Sequence, residues 1–366
     1  MSGERADRLA SLVAQEGLDA LIVGDLVTPG DSGPDARVNL RWLTGFSGTS
    51  GLAVVGPESR VFFTDFRYVE RAEREVGDAF ERRVVEQRLL NELGASLSER
   101  VGFDEAHTSV RSLRKLEEAV GEGVELVPVE GLVERLRRRK DAGEQRAIAG
   151  AAKLADEVYE WVLDRGLEGR TEREVARAAE ARMRELGSEP SFPTIVAAGP
   201  NGALPHAESS ERTIGRGELV VFDMGAVVDG YCSDCTRTLA VGRAPDADGA
   251  EVYELVRDAQ AKALEGIRAG VSGVDADAVA REQIAAASHA EHFGHGLGHG
   301  VGLEVHEAPR LGQRSEDTLE EDDVVTVEPG VYVPGRFGVR IEDLVVLTAD
   351  GYRKLSSLPK ELRVVD

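Results

Sequence analysis

Residues 294–307, GHGLGHGVGLEVHE, constrain what this 366-residue chain can fold into more than any other stretch of it. Glycine occupies positions 294, 296, 298, 300 and 302. A glycine costs a helix interior about 0.8–1 kcal/mol relative to alanine, so a run this dense argues for extended chain. Alternate side chains of an extended segment share a face, which puts the glycines on one side and His295, Leu297, His299, Val301 and Leu303 on the other. The bare side lets another backbone or a ligand approach closely. His295, His299 and His306 are three of the chain's seven histidines. A glycine-rich core strand with incidental histidines would read the same way, so this stretch alone leaves packing and chemistry level.

Composition narrows the classes. Hydrophobic residues make up 42% of the chain, enough for a globular fold, and the length favours two domains over one core. Lys and Arg total 44 against 67 Asp and Glu, a formal net charge of −23, which argues against a nucleic-acid or anionic-membrane partner. No apolar run approaches a membrane span, and the charge-interrupted opening MSGERADRLASLVAQEGLDALIV lacks the apolar core of a signal peptide. A cytoplasmic location is therefore expected. Cys232 and Cys235 form the only C-x-x-C. No second pair accompanies it, and GYCSDCTRTLAV reads as a strand whose residues three apart face opposite ways, so the pair is read as structural.

In chain order, a helix at 4–16, a strand at 18–23, a polar loop at 28–37, strands at 51–55 and 60–64, helices near 67–76 and 109–120, and strands at 101–103 and 124–129 alternate as in a small α/β domain. Its boundary is placed at 1–133. The turn-rich, aromatic motifs LTGFSGTSG (43–51) and FFTDFRY (62–68) suggest packing or an interface rather than catalysis. The charged run ERLRRRK (134–140) reads as a solvated helix face, and 134–141 as a linker helix. The second domain, 142–366, opens on a helical pattern reaching 165. Thr171 and Glu174 form a capping box for the next helix, ending at Gly187. Apolar runs at 194–198, 218–226, 231–241, 323–333 and 338–347, divided by helices at 249–269 and 275–289, give each half helices plus a hairpin, a weak internal repeat.

Those hairpins bring carboxylates together. Asp223 and Asp234 flank a midpoint beside the turn-forming Asp229-Gly230, so they are expected to lie side by side across the ladder. Glu328 and Glu342 are centred on Gly335 in the same manner. Two such pairs on an inner face repel unless cations sit between them. Four carboxylates and a histidine are an oxygen-rich donor set suited to two divalent metals.

At this point the sequence resembles the metal-dependent pita-bread peptidases, in particular Xaa-Pro aminopeptidases (aminopeptidase P) and Xaa-Pro dipeptidases (prolidases). The motifs are SFPTIVAAGPNGALPHAESS (191–210), DMGAVVDGYCSDCTRT (223–238), HGLGHGVGLEVHEAP (295–309), TVEPGVYVP (326–334) and VRIED (339–343), with LTGFSGTSG and FFTDFRY similar to a creatinase-type N-terminal domain. The resemblance implies an α/β (α+β) fold with a creatinase-like domain followed by a pita-bread catalytic domain. It makes Asp223, Asp234, His299, Glu328 and Glu342 the metal ligands, with Asp234 and Glu342 bridging two ions that hold a shared nucleophilic hydroxide. Asp223 would serve one ion, and His299 with Glu328 the other. Glu328 would also shuttle a proton, and His206 and His306 would hydrogen-bond the scissile carbonyl. His295 would line the substrate pocket, and Arg340 would orient a bridging carboxylate or a substrate group. Mn²⁺ or Co²⁺ is expected first, with Zn²⁺ or Fe²⁺ as alternatives. His107, His289 and His292 match no motif and are expected at the surface.

The expected activity is hydrolysis of Xaa-Pro bonds in proline-containing peptides by a homodimer. A short aminopeptidase P leads and a dipeptidase follows closely. Arg310 resembles an arginine that some prolidases carry at that position, where it would clamp a substrate carboxylate. A non-catalytic peptide-binding module of the same fold is disfavoured because all five ligand positions are filled.

Overall fold

The computed structural model describes residues 2–24, 35–86, 89–94, 97 and 99–366. The chain divides into two compact units, residues 1–137 and 138–366. In the first, α1 (Ser2–Gln15), β1 (Ala20–Gly24), α2 (Asp35–Thr44), β2 (Gly51–Val55), β3 (Arg60–Asp65), α3 (Val69–Glu75), β4 (Glu81–Val85), α4 (Leu89–Gly94), β5 (Arg100–Asp104), α5 (Val110–Ala119), β6 (Glu125–Val129) and α6 (Leu132–Arg137) follow one another. The six strands form one mixed sheet, ordered β4-β3-β2-β1-β5-β6. Central strands lack the alternation of a half-solvated sheet because both their faces are covered: all five residues of β2 are buried. Leu52, Val54, Phe63, Val101 and Phe103 pack with Leu116 of α5, which Ser109 caps by accepting from Ser112 N.

Of the loop expected over 28–37, residues 28–34 lie outside the described residues and 35–37 open α2. Leu40, Trp42 and Leu43 anchor that helix in the interior. The strand β4, which the pattern did not suggest, sits at the sheet edge, where four of its five residues are exposed and can be charged. LTGFSGTSG and FFTDFRY pack on each other: Phe46 meets Phe62 at 4.9 Å and Tyr68 at 5.7 Å between ring centroids, and Ser50 Oγ donates to Asp65 (2.5 Å).

The run ERLRRRK is not a solvated face. Within it the helix ends at Arg137, and Leu136, Arg137 and Lys140 are all buried. The guanidinium of Arg137 donates to Asn39 Oδ1 (2.7 Å), and Lys140 meets a carboxylate, so these cations are buried with partners rather than left to water.

The second unit contains α7 (Ala142–Leu163), α8 (Glu172–Glu185), β7 (Glu189–Pro190), β8 (Ile195–Ala198), β9 (Leu219–Met224), β10 (Ala226–Val228), β11 (Tyr231–Cys232), β12 (Cys235–Val241), α9 (Ala247–Gly266) and α10 (Gly273–Ala286). It continues with β13 (Gly298–Gly300), β14 (Glu307–Leu311), β15 (Val324–Val327), β16 (Gly330–Val333), β17 (Phe337–Arg340), β18 (Asp343–Leu347), β19 (Tyr352–Lys354) and β20 (Val364–Val365). The capping box of α8 forms as expected, Thr171 Oγ1 accepting from Glu174 N while Glu174 accepts from Thr171 N. A second one, Asp141 with Glu144, opens α7. Ile148, Ala151, Ala155, Val158, Tyr159 and Val162 recur at helical spacing and give α7 its buried stripe.

The repeat anticipated from the sequence is present. The first half packs α7 and α8 on the sheet β20-β12-β9-β8, where Tyr159 stacks on Phe222 at 4.9 Å between centroids. The second packs α9 and α10 on β14-β13-β15-β18-β19 through Val256, Ala263, Ile284, Val325 and Val345. This is the pita-bread arrangement that the resemblance implies.

Each half is built on a long hairpin that changes sheets partway along. In the first, β9 pairs with β12 while the inner strands β10 and β11 pair in a separate sheet. In the second, β15 pairs with β18 while β16 and β17 pair by themselves. Asp234 falls in the break between β11 and β12, and Glu328 and Glu342 in the breaks between β15 and β16 and between β17 and β18.

Candidate metal centre

The glycines of 294–302 do what an unencumbered face allows. A side chain at Gly298 would collide with the carbonyl oxygen of Thr326, and one at Gly300 with that of Ala308, so β13 threads between β14 and β15 at backbone contact. The regular strand covers only 298–300, yet His295 and His299 do line one cavity, of about 940 Å³. Asp223, Asp234, Glu328, Glu342, Arg340, His206, His306 and Arg310 line it as well. All ten positions singled out in the sequence therefore meet in one place.

Register corrects one detail. Both Asp229 (φ 51°) and Gly230 (φ 83°) are left-handed, giving a two-residue turn that pairs Val228 with Tyr231. Asp223 consequently faces Thr236 across the ladder, not Asp234, which stands two residues away on the diagonal. In the second hairpin, Gly330 pairs with Arg340 and Val327 with Asp343, so Glu328 and Glu342 occupy matching positions between the two ladders, as expected.

The donor atoms converge. Ligating atoms of Asp234, His299 and Glu342 lie within 4.8 Å of one another, all on buried residues. His299 Nε2 is 3.6 Å from Asp234 Oδ2 and 3.2 Å from Glu328 Oε1. The Nδ1 of His299 contacts the Gly300 carbonyl (3.1 Å), which can only accept, so Nδ1 carries a ring hydrogen and Nε2 is the nitrogen turned to the carboxylates. Nε2 meets them as a hydrogen-bond donor when it carries a proton and as a ligand when a metal ion takes that proton's place. Asp223 Oδ1 and Glu342 Oε1 are buried without a hydrogen-bond donor. Burial and then Glu342 push the Asp234 carboxyl well up, and burial and then Glu328 do the same to Glu342. Glu328 goes the other way, to about 2: burial opposes ionisation, but His299 hydrogen-bonds and attracts its carboxylate. Unpaired oxygens, an inward-facing imidazole nitrogen and carboxylates that cannot all ionise unaided fit divalent cations.

Around this set the protein fixes orientation. Thr236 Oγ1 accepts from Arg340 Nε (3.0 Å) and donates to Glu342 Oε2 (2.7 Å). Thr326 Oγ1 accepts from His299 N (3.1 Å) and donates to Glu328 Oε1 (3.1 Å). Arg340 is 4% exposed, and its NH2 donates to Asp223 Oδ2 (2.5 Å) while NH1 reaches Pro205 O (3.2 Å), next to His206, and Tyr332 Oη (2.9 Å). Arg340 therefore touches Asp223 directly and reaches Glu342 through Thr236.

Tyr332 went unnoticed in the sequence. Its hydroxyl accepts from Arg340 and lies 2.9 Å from His295 Nε2, while His295 Nδ1 donates to Gly296 O (2.8 Å). Burial lowers the His295 pKa, so the neutral ring has one hydrogen, at Nδ1, and Nε2 accepts from Tyr332. Both nitrogens of His295 are thus spent within the protein, leaving the ring as cavity wall. No spacing rule marks such a tyrosine; only its place on β16 inside a carboxylate hairpin could have drawn notice.

His206 and His306 are exposed on the cavity surface, with the His306 ring 4.3 Å from that of His299. Partial burial, with His299 and Arg310 nearby, lowers His306 to about 4. Neither His289 nor His292 is at the surface as expected: both are half-buried, with Nδ1 atoms 2.9 Å apart. His107 is half-buried too, 3.3 Å from Glu134 and 3.9 Å from Asp104 in the first unit, a group whose carboxylates share the Asn39 amide. Cys232 and Cys235 are both buried and packed in different hydrophobic clusters, as opposite-facing residues must be. No helix among the described residues is long and apolar enough to cross a membrane.

Comparison with known proteins bears on the family and the fold. Residues 146–349 match the model of metallopeptidase family M24, and residues 5–139 that of the creatinase/prolidase N-terminal domain. A Xaa-Pro dipeptidase of Pyrococcus horikoshii is 43% identical over 65% of this chain and 68% of its own length. The structure of a Xaa-Pro dipeptidase from Bacillus anthracis superposes with a TM-score of 0.94 at 37% identity, covering 100% of both chains. That of an X-Pro aminopeptidase from Thermotoga maritima gives 0.89 at 34% identity, covering 98% of this chain and 100% of its own.

Proposed function

The chain belongs to metallopeptidase family M24, which implies divalent metal ions and a peptide substrate, and from that premise we propose that it is an exopeptidase hydrolysing Xaa-Pro bonds with a dinuclear centre. Asp223, Asp234, His299, Glu328 and Glu342 would hold the two ions. The observation that carries this reading is their convergence, with two unpaired carboxylate oxygens, on the wall of a cavity that also displays His206 and His306. When bound, the ions supply Lewis acidity and make a water-derived nucleophile available near neutral pH.

The residues do the rest. Glu328 Oε1 is engaged by Thr326, which leaves Oε2 to carry a proton to the departing proline nitrogen. His206 and His306 aim ring N–H groups at the scissile carbonyl oxygen, where negative charge develops. Phe192 and Ile195 give the cavity an apolar wall suited to a proline ring. An Xaa-Pro bond has no N–H and a fixed φ, so recognition must come from such a wall rather than from a grip on the amide.

Relatives named on both sides support the aminopeptidase and the dipeptidase readings alike. Arg310 tips ours toward dipeptides: it is exposed on the cavity wall and oriented by its backbone bond to Asp317, which suits it to a free carboxylate. A homodimer belongs to the same proposal on the resemblance alone, and light scattering tests it. The deciding assay loads the protein with Mn²⁺, then with Co²⁺, Zn²⁺ and Fe²⁺, and compares Ala-Pro, Ala-Pro-Ala and Ala-Ala. Cleavage of neither proline peptide with any metal sinks the activity. Cleavage of Ala-Pro-Ala in clear preference to Ala-Pro returns the lead to the aminopeptidase.

A further inference from the structure

The residues that open the second unit are tied to the segment that carries His306 and Arg310. Arg139 forms an antiparallel bridge with Asp323, and Lys140 N donates to Asp322 O (3.0 Å), which fixes the course of 138–141. Lys140 Nζ lies 2.6 Å from Glu307 Oε1, with the two side chains 1% and 9% exposed. Glu307 follows His306 directly, and its carboxylate packs against Gly302, where a side chain would collide with it. Arg138 forks onto Asp323, with Nε–Oδ1 at 2.9 Å and NH2–Oδ2 at 2.8 Å, and extends NH1 to Asp317 Oδ1 (3.3 Å). The other oxygen of Asp317 accepts the backbone N–H of Arg310 (2.7 Å). Segment 306–310 is thus held at one end by Lys140 through Glu307 and at the other by Arg138 through Asp317.

A buried lysine–glutamate pair adds little net stability, because desolvation cancels most of the attraction, and an apolar pair could fill the same space. What a short, enclosed ion pair does provide is direction. Glu307 cannot rotate without stranding a charge, so the backbone of His306 cannot turn away from the cavity. We propose that Lys140, supported by Arg138, is a positioning residue that fixes 306–310 so that His306 and Arg310 face the substrate. The inference rests on the reading of His306 as a substrate contact.

The test uses the Mn²⁺-loaded full-length protein, its Lys140→Met variant and the Lys140→Met/Glu307→Gln double variant, in which no buried charge is stranded. Both variants are expected to keep wild-type metal content, while kcat falls at least about tenfold through the transition-state contact of His306 and KM for Ala-Pro rises through Arg310, whose carboxylate contact is already made in the ground state. Hydrogen–deuterium exchange across 302–311 should accelerate at least fivefold in both, with the rest of the second unit unchanged. That second readout separates the two ideas, since an inactive wild type would sink the proposed activity and leave exchange to decide the positioning role. Wild-type exchange in 302–311, or a double variant with wild-type kcat, overturns the proposal. So does a kcat loss matched by an equal loss of metal.

Discussion

His299 Nε2 faces Glu328 Oε1 at 3.2 Å, while Nδ1 of the same ring is turned to the Gly300 carbonyl on the far side. The ionised carboxylate needs a positive partner at that contact, and a metal ion bound to Nε2 would supply it in place of the imidazole proton.

Removing the imidazole should therefore be selective. His299→Ala is expected to lower bound Mn²⁺ from two ions per chain toward one, whereas Asp234→Ala, which removes a proposed bridge, should empty both positions. Elemental analysis of the purified variants decides this. Full metal content in Asp234→Ala would remove that residue from the bridge.

Tyr332→Phe deletes one hydroxyl that satisfies two buried groups, Arg340 NH1 and His295 Nε2. His295 Nε2 and one of the two N–H groups of Arg340 NH1, whose other bond to Pro205 O remains, lose their partner at roughly 1–3 kcal/mol each, so thermal stability should fall measurably. Since Arg340 also holds Asp223, kcat should drop about tenfold, within the 10–100-fold range for groups that orient metal ligands. An unchanged melting temperature together with an unchanged kcat would show that the hydroxyl is dispensable.

Gly298→Ala and Gly294→Ala differ by only four positions and should behave oppositely. The first forces a methyl group onto the Thr326 carbonyl, whereas nothing lies within 4 Å of the second. Overpacking of this kind costs about 1–3 kcal/mol or more, while an unobstructed surface change stays within about 0.5 kcal/mol. Denaturant midpoints for the two variants provide the check, and equal midpoints would contradict the close approach of β13 to β15.

In the first unit, hydrogen bonds from Arg67 lead in lowering the Asp65 carboxyl from 3.8 to about 2, assisted by Ser50. A carboxyl lowered on folding stabilises the protein above its unfolded pKa, and that stability is lost as pH falls through the folded value. The melting temperature of Asp65→Asn should therefore lie below wild type at pH 5, and the gap should narrow between pH 4 and 2. A gap that stays constant over this range would mean that Asp65 contributes through shape rather than charge.

Much of this was legible because the chemistry demands unusual sequence. Glycine at alternate positions, carboxylates on apolar strands and histidines gathered in one run are costly patterns that few folds tolerate, and each marks a real element of the centre. What stayed hidden depended on exact register or on distant partners. Asp223 and Asp234 straddle a turn that any nearby glycine could have made, and one step in its placement decides whether Asp223 faces Asp234 or Thr236. Lys140 looked like one charge in a solvated row because Glu307, which gives it a reason to be buried, lies far along the chain. Edge strand β4 was invisible for the converse reason: exposed on nearly all sides, it has no apolar pattern to show.

The two hairpins that switch sheets have a consequence for assembly. Asp223 and Asp234 come from one half of the second unit, and His299, Glu328 and Glu342 from the other, with Thr236 reaching Glu342 across 106 residues of sequence. Cations held there would act as a reversible clasp between two half-structures, closing a long loop whose entropy the chain must otherwise surrender unaided. A chelator would then do more than stop turnover: it would loosen the seam between the halves, so that metal content and the cooperativity of unfolding rise and fall together.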